Sequence, residues 1–248
     1  MDTSHGQNEN TPAELSPISF PGALSCYRFG WGQMKKYFFN LLLIVIVAWL
    51  ISIPSVGMHI HDVETLLDKF FVIDPFFPEF AGYGYYVLLA LIYTALIEGP
   101  VEYGIAFSAL RVARNQGLQT KNLFAAFNNY LSAVRAYLLV IIIVVTGFFL
   151  LIIPGIIFLC KLAFVPYLIT DKKMNAVPAV KESWQMTKGH TSTIFLMYVI
   201  AFFLSILGLL LAGVGLIFAV IWIEPSFAHL YHTVSISQER GNPSEVSA

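Results

Sequence analysis

The chain has 248 residues, of which 57% are hydrophobic and 12% charged, against about a quarter charged in an ordinary soluble domain. A soluble globular protein is excluded, and 14 Lys and Arg against 15 Asp and Glu leave no basic excess for tracking a nucleic-acid backbone. A positive mean hydropathy and 15% aromatic residues point to a multipass membrane protein whose main solvent is lipid.

Residues 1–19 carry Asp2, Glu9 and Glu14, no Lys or Arg and no apolar core, so they read as a disordered cytoplasmic tail and not as a signal or transit peptide. Leu24, Tyr27 and Trp31 then recur at helical spacing. Tyr37 to Val56 is apolar and long enough to cross the roughly 30 Å hydrocarbon layer at 1.5 Å per residue, with Lys35 and Lys36 at its start. An outer loop over 57–83 follows. Within it, His61 to Phe71 places Val63, Leu66, Leu67, Phe70 and Phe71 on one face behind Asp62 as N-cap, which predicts a helix on the outer membrane surface. Phe76, Phe77 and Phe80 beside Pro75 and Pro78 extend that apolar surface as a lid or dimer contact. His59-x-His61-Asp62 lacks a further ligand at motif spacing, so no metal is expected there.

The second span, Tyr85 to Phe107, is interrupted at Glu98-Gly99-Pro100 and followed by Arg111 and Arg114. From Ala136 to Thr170 Lys161 is the sole charge; Pro154-Gly155 supplies the break that this length requires, giving spans near 136–153 and 155–170. Thr191 to Ile223 is uncharged and also too long for one crossing, and Gly213 with Gly215 divides it into spans near 192–212 and 215–233. Residues 236–248, with Glu239, Arg240, Pro243 and Glu245, read as a second disordered cytoplasmic tail. Cys26 and Cys160 make no disulfide framework.

Six spans can be oriented by charge. The segment 57–83 holds Asp62, Glu64, Asp68, Asp74 and Glu79 against Lys69, whereas 111–135 holds Arg111, Arg114, Lys121 and Arg135 with no acid and 171–190 holds Lys172, Lys173, Lys181 and Lys188 against Asp171 and Glu182. Basic residues mark cytoplasmic loops, so both termini are expected inside.

The chain also reads as three copies of one unit. Leu24, Tyr27, Trp31; Phe124, Phe127, Leu131; and Val177, Val180, Trp184 each precede a pair of spans, and Pro100, Pro166 and Pro225 each lie in the second span of a pair. The expected fold is therefore all-α and integral to the membrane: six transmembrane helices as three helical hairpins, each preceded by a cytoplasmic amphipathic helix. The membrane domain is 20–235, with units of about 20–114, 120–171 and 174–235. Such amphipathic helices either lie in the inner-leaflet interface or simply cap the bundle.

Ile153-Pro154-Gly155-Ile156, Lys161, Phe164, Pro166, Tyr167 and Asp171, followed by Ser183-Trp184 and Thr187-x-Gly189-His190, resemble a group of uncharacterised bacterial inner-membrane proteins. The group includes the YciC-like proteins and the membrane domain that accompanies some glycerophosphodiester phosphodiesterases. The resemblance covers about 120–233 and is weaker over the first pair of spans. It implies a six-helix protein of the bacterial cytoplasmic membrane and carries no settled activity. Where that family usually has Arg, this chain has Lys161, which keeps the charge and loses the bidentate fork. Cytoplasmic segments this short leave no room for a phosphodiesterase domain, so the chain is expected to be a membrane module alone.

Ionisable groups at membrane depth are functional candidates because each is costly unless paired. Here they are Glu98, Glu102, Lys161 and Glu224, with His229 and His232 near the inner end of the last span. Glu98 and Glu224 both precede a proline, and the helix-break candidates are Pro100, Pro154, Gly155, Pro166 and Pro225. Lys161 is expected to pair with Glu98 or Glu224. No Gly-x-Ser-x-Gly elbow, Walker loop, His-Glu-x-x-His or Cys-x-x-Cys is present, so no catalytic residue, cofactor or metal is assigned. The first functional expectation is a module that binds or transports a lipid or small hydrophobic solute between the hairpins. The second is an accessory protein that organises the bilayer or a protein partner, and a cryptic intramembrane enzyme is third. The expected partners are the lipid bilayer and a bound lipid, with self-association or an unidentified protein partner left open and nucleic acid excluded.

Overall fold

The computed structural model describes residues 20–70, 88–211 and 213–241, with the backbone alone at 55–70 and 240–241. Among these residues every regular element is helical and none is a strand. Six stretches are long and apolar enough to cross a bilayer: Ala23–Pro54, Leu88–Ala113, Thr120–Leu150, Ile152–Thr170, Thr191–Leu210 and Val214–Glu239.

Helix α1 spans Ala23–Phe70, and Tyr37 inside it takes non-helical dihedrals (φ −112°, ψ 20°). The kink falls where Lys35-Lys36 gives way to the apolar run. The expected loop at 57 and separate helix start at Asp62 are corrected, because helical backbone continues unbroken through Phe70. Pro54 removes one donor and Gly57 stands alone, whereas Val63, Leu66, Leu67 and Phe70 keep the helical period beyond them. The rest of that loop, with Asp74, Phe76, Phe77, Glu79 and Phe80, lies outside the described residues, as do 1–19 and 242–248.

The second span is α2 (88–93), a π-helical turn at Thr94–Glu98 and α3, Gly99–Ala113. Pro100 sits in the first turn of α3, and the wide turn before it accommodates the missing donor. Asn115 ends the segment at φ 53°, and its Oδ1 accepts hydrogen bonds from Gln33 Nε2 (3.2 Å) and Lys36 Nζ (3.1 Å) of α1.

A 3₁₀ helix, Thr120–Asn129, precedes α4, Tyr130–Leu150, in place of the expected amphipathic α-helix. The next break is at Leu151, an extended residue, and α5 (Ile152–Lys161) carries Pro154 in its first turn. Pro154-Gly155 is therefore not the break: a proline there needs no intrahelical donor. Gly155 instead permits close packing, since a Cβ on Gly147 of α4 would stand 3.0 Å from the Gly155 Cα. Pro166 opens α6, Val165–Thr170, after a turn.

Helices α7 (Ala176–Met186), α8 (Thr191–Leu210) and α9 (Val214–Gly241) complete the chain. Gly213 makes the turn at φ +77°, whereas Gly215 abuts Gly208, whose added Cβ would lie 2.8 Å from the Gly215 backbone. Helix α9 runs through Pro225 without a break and continues to Gly241, which corrects the tail expected from 236. Val234 and Ser235 are buried, and Ser235 Oγ donates to Glu239 Oε1 one turn on (3.4 Å), so packing and a local bond carry the helix past its apolar run.

The densest packing lies among the C-terminal parts of the second spans. Leu110 of α3, Phe164, Leu168 and Ile169 around α6, and Leu230 and Tyr231 of α9 are fully buried, together with Met186, Ile194 and Met197. At the opposite end, Phe149 is 93% exposed and Leu210 76%. Most of the large apolar residues expected on the three leading segments also face outward: Leu24, Trp31, Phe124, Phe127, Leu131 and Val177 are exposed. Tyr27 is buried, beside small neighbours such as Ala23 and Cys26; Ala126, Ala176 and Ala179 fill the same inward role in the other segments.

Candidate functional site

Four helical segments surround an open cavity of about 190 Å³. Helix α3 contributes Glu102 and Ala106, the α5–α6 turn and α6 contribute Ala163, Pro166 and Tyr167, α8 contributes Tyr198 and Ala201, and α9 contributes Ile223, Glu224 and Phe227. Ala106, Ala163 and Ala201, one from each of three walls, are too small to fill the space between their helices. No Lys, Arg or His lines it. Glu102 lies about 17 Å along its helix from Ala113, at 1.5 Å per residue, and so near the middle of its span.

The polar groups on this wall lack protein partners. Among the described residues, neither the Glu102 nor the Glu224 carboxylate has an ion pair or hydrogen bond, although the two are within electrostatic range of each other. Tyr167, only 3% exposed, lines the cavity with a hydroxyl that makes no hydrogen bond among the described residues, and the Tyr198 hydroxyl makes none among them either. Both rings are held by aromatic neighbours: Tyr167 stacks on Tyr231 at 4.8 Å and Tyr198 meets Phe227 at 4.9 Å. Native proteins satisfy the large majority of their buried polar groups, and the buried Tyr167 hydroxyl converges here with the half-buried Tyr198 and Glu224 and the exposed Glu102, none of which has a protein partner among the described residues.

The expected pairing of Lys161 with Glu224 is not formed: no ion pair or hydrogen bond joins them, and Glu224 shares the cavity wall with Glu102. Lys161 is the last residue of α5, and its carbonyl is what the fold uses, accepting from Ser183 Oγ (2.8 Å) and Thr187 Oγ1 (3.4 Å) of the α7 region. Ser183 Oγ accepts in turn from the Phe164 N–H (3.2 Å), tying the turn before Pro166 to α7. Glu98 ends the π-turn one helical turn before Glu102 and is not on the cavity wall. Pro166 lies on the wall; Pro100 and Pro225 sit close by in sequence to Glu102 and Glu224, while Pro154 and Gly155 are in α5 away from it.

A second polar cluster lies where α3 and α6 end beside the Tyr231–His232 stretch of α9. Arg114 grips Asp171 with two bonds, Nη1 to Oδ1 at 2.6 Å and Nη2 to Oδ2 at 2.7 Å. Arg114 Nε also donates to His232 Nδ1 (3.4 Å), and the Tyr231 hydroxyl donates to Asp171 Oδ2 (3.3 Å). The hydrogen bonds that Arg114 donates to Asp171 push the guanidinium pKa above its already high ordinary value, so Arg114 stays charged. A neighbouring imidazole, His229, stacks on Phe29 at 3.9 Å, and its Nδ1 is buried without a partner. Arg114 and Asp171 thus form a clasp that ties together α3, α6 and α9, three of the segments that also wall the cavity.

Tyr198 carries no sequence signal, since a tyrosine in an apolar span reads as core. Arg114 and Asp171 do: opposite charges at the ends of two second spans are natural partners once those spans are adjacent. The chain matches no family model, no curated protein and no solved structure.

Proposed function

We propose that this protein is a membrane-embedded binding module that takes a lipid or small hydrophobic solute, through its polar end, in the cavity between α3, α6, α8 and α9. The observation that carries this reading is the set of four unpartnered polar groups, Glu102, Tyr167, Tyr198 and Glu224, on a wall otherwise made of small and apolar residues. A second groove, of about 470 Å³ between α1 and α9, has an apolar lining from Val45 to Val220 and offers only a surface for hydrocarbon.

In this reading the six spans form three hairpins in a bacterial cytoplasmic membrane, as in the YciC-like family that the sequence resembles. The basic residues and both termini face the cytoplasm. The outward-facing Leu24, Trp31, Phe124, Phe127 and Leu131 rest in the inner-leaflet interface, and each small-residue face seals against the bundle. The same exposed residues favour the second reading, an accessory protein that organises the bilayer or a protein partner through these surfaces.

Native mass spectrometry of the purified protein separates the two. A stoichiometric lipid or solute that survives Leu151→Ala, on the lipid-facing surface, and is lost in Ala201→Phe, which fills the cavity, supports the binding module. A co-purifying protein with lipid content unchanged by Ala201→Phe supports the accessory role.

A further inference from the structure

We propose that the group recognised in this cavity is an organic ammonium, the amine of a lipid headgroup or of a free amphiphilic amine. The inference rests on the binding-module reading and adds the chemistry of the ligand.

Two carboxylates from different helices share one cavity wall, which among the described residues carries no Lys, Arg or His. Like charges held together at membrane depth are costly, and a ligand bearing positive charge removes that cost for both. The remaining wall selects among cations. Calcium and magnesium take six or more oxygen ligands and zinc at least three protein ligands, and among the described residues no group of three or more His, Cys, Asp or Glu is placed to hold a metal. An alkylammonium needs fewer contacts: its N–H groups donate to carboxylates and hydroxyl oxygens, while its carbon body lies on aromatic faces, which attract cations through their quadrupole. Tyr167, Tyr198 and Phe227 supply those faces, and Ala106, Ala163, Ala201 and Ile223 accommodate the apolar body. An anion is disfavoured by the two glutamates, and a neutral alcohol leaves their repulsion in place.

Size agrees. About 190 Å³ exceeds the roughly 150 Å³ of an engineered apolar cavity that takes benzene, so an aminoethyl or benzylammonium group fits and a whole phospholipid does not. The cavity is open on one side, which lets the rest of such a ligand trail outside. Tyr167 also bears on the clasp, because the Tyr231 ring stacked on it donates to Asp171.

The test uses the full chain in nanodiscs of phosphatidylglycerol, titrated with benzylammonium, benzyl alcohol and benzoate. Benzylammonium is expected to bind once per chain and at least about tenfold more tightly than the other two, the worth of one charge-assisted hydrogen bond. Glu102→Gln and Glu224→Gln each weaken it by a similar factor, the double variant abolishes it, and Glu182→Gln on α7 leaves it unchanged. Tyr167→Phe, which keeps the ring, weakens binding without disturbing the fold and covers the case in which a glutamine variant fails to assemble. Nanodiscs containing phosphatidylethanolamine identify the source: competition with benzylammonium assigns the site to the lipid headgroup, and its absence assigns it to a free amine. Equal binding of all three probes, unaffected by the glutamine variants and lost in Ala201→Phe, overturns the ammonium inference and leaves the binding module standing. No binding of any probe, with lipid content unchanged in Ala201→Phe, overturns both.

Discussion

The clasp, where α3 and α6 end beside α9, and the cavity that the same three helices wall with α8 are built from similar side chains, carboxylates and tyrosines among aromatic rings, yet they differ in bonding. Asp171 receives two bonds from Arg114 and one from Tyr231. Glu102 and Glu224 receive none among the described residues. A carboxylate that has its partners holds the fold, whereas one denied them at membrane depth costs stability. The comparison teaches that pairing, more than residue type, separates the two roles.

Breaking the clasp should have the largest effect. Arg114→Ala leaves Asp171 uncompensated at a site only 15% exposed, and should cost about 2–3 kcal/mol in reversible detergent unfolding. Gly104→Ala comes next, at about 1–3 kcal/mol, because the added methyl would overlap the Leu123 backbone and push the 3₁₀ helix from α3. Ser183→Ala removes the bridge between the Lys161 carbonyl and the Phe164 N–H and should cost about 1 kcal/mol. Glu102→Gln and Glu224→Gln should leave stability unchanged or raise it, since each relieves a like-charge contact, and the same unfolding measurement checks this. The smallest effect is a pH dependence outside the spans. Burial lowers the His190 pKa, so its contribution is whole above the ordinary imidazole value of about 6.5 and is lost as the pH falls from there through the lower folded-state value. His190→Gln should flatten that part of the stability profile.

Much of this fold is legible from sequence. Hydropathy gives six spans because length and apolarity are properties of single segments, and the expected and observed numbers agree. Boundaries are less legible, because proline and glycine act by context. Pro154 lies harmlessly in a first turn and Gly155 serves helix contact, while Leu151 makes the break. The candidate site was half visible. Glu102 and Glu224 stand out as intramembrane acids, but which acids meet depends on helix rotation, which puts Glu102 and not Glu98 on the cavity wall. Lys161 stood out for its charge, and its backbone proved to matter more, anchoring α5 to α7.

The most direct measurement is labelling of the native protein in membranes with a hydrophobic carbodiimide, which attacks carboxyl groups within the bilayer, followed by mapping of the modified residues. Glu102 and Glu224 should be labelled, Asp171 in its clasp should not, and benzylammonium should protect both glutamates. Equal labelling of Asp171 and the glutamates, or labelling of Glu102 and Glu224 that the ammonium leaves unchanged, would contradict the division between a satisfied clasp and a cavity kept open for a cation.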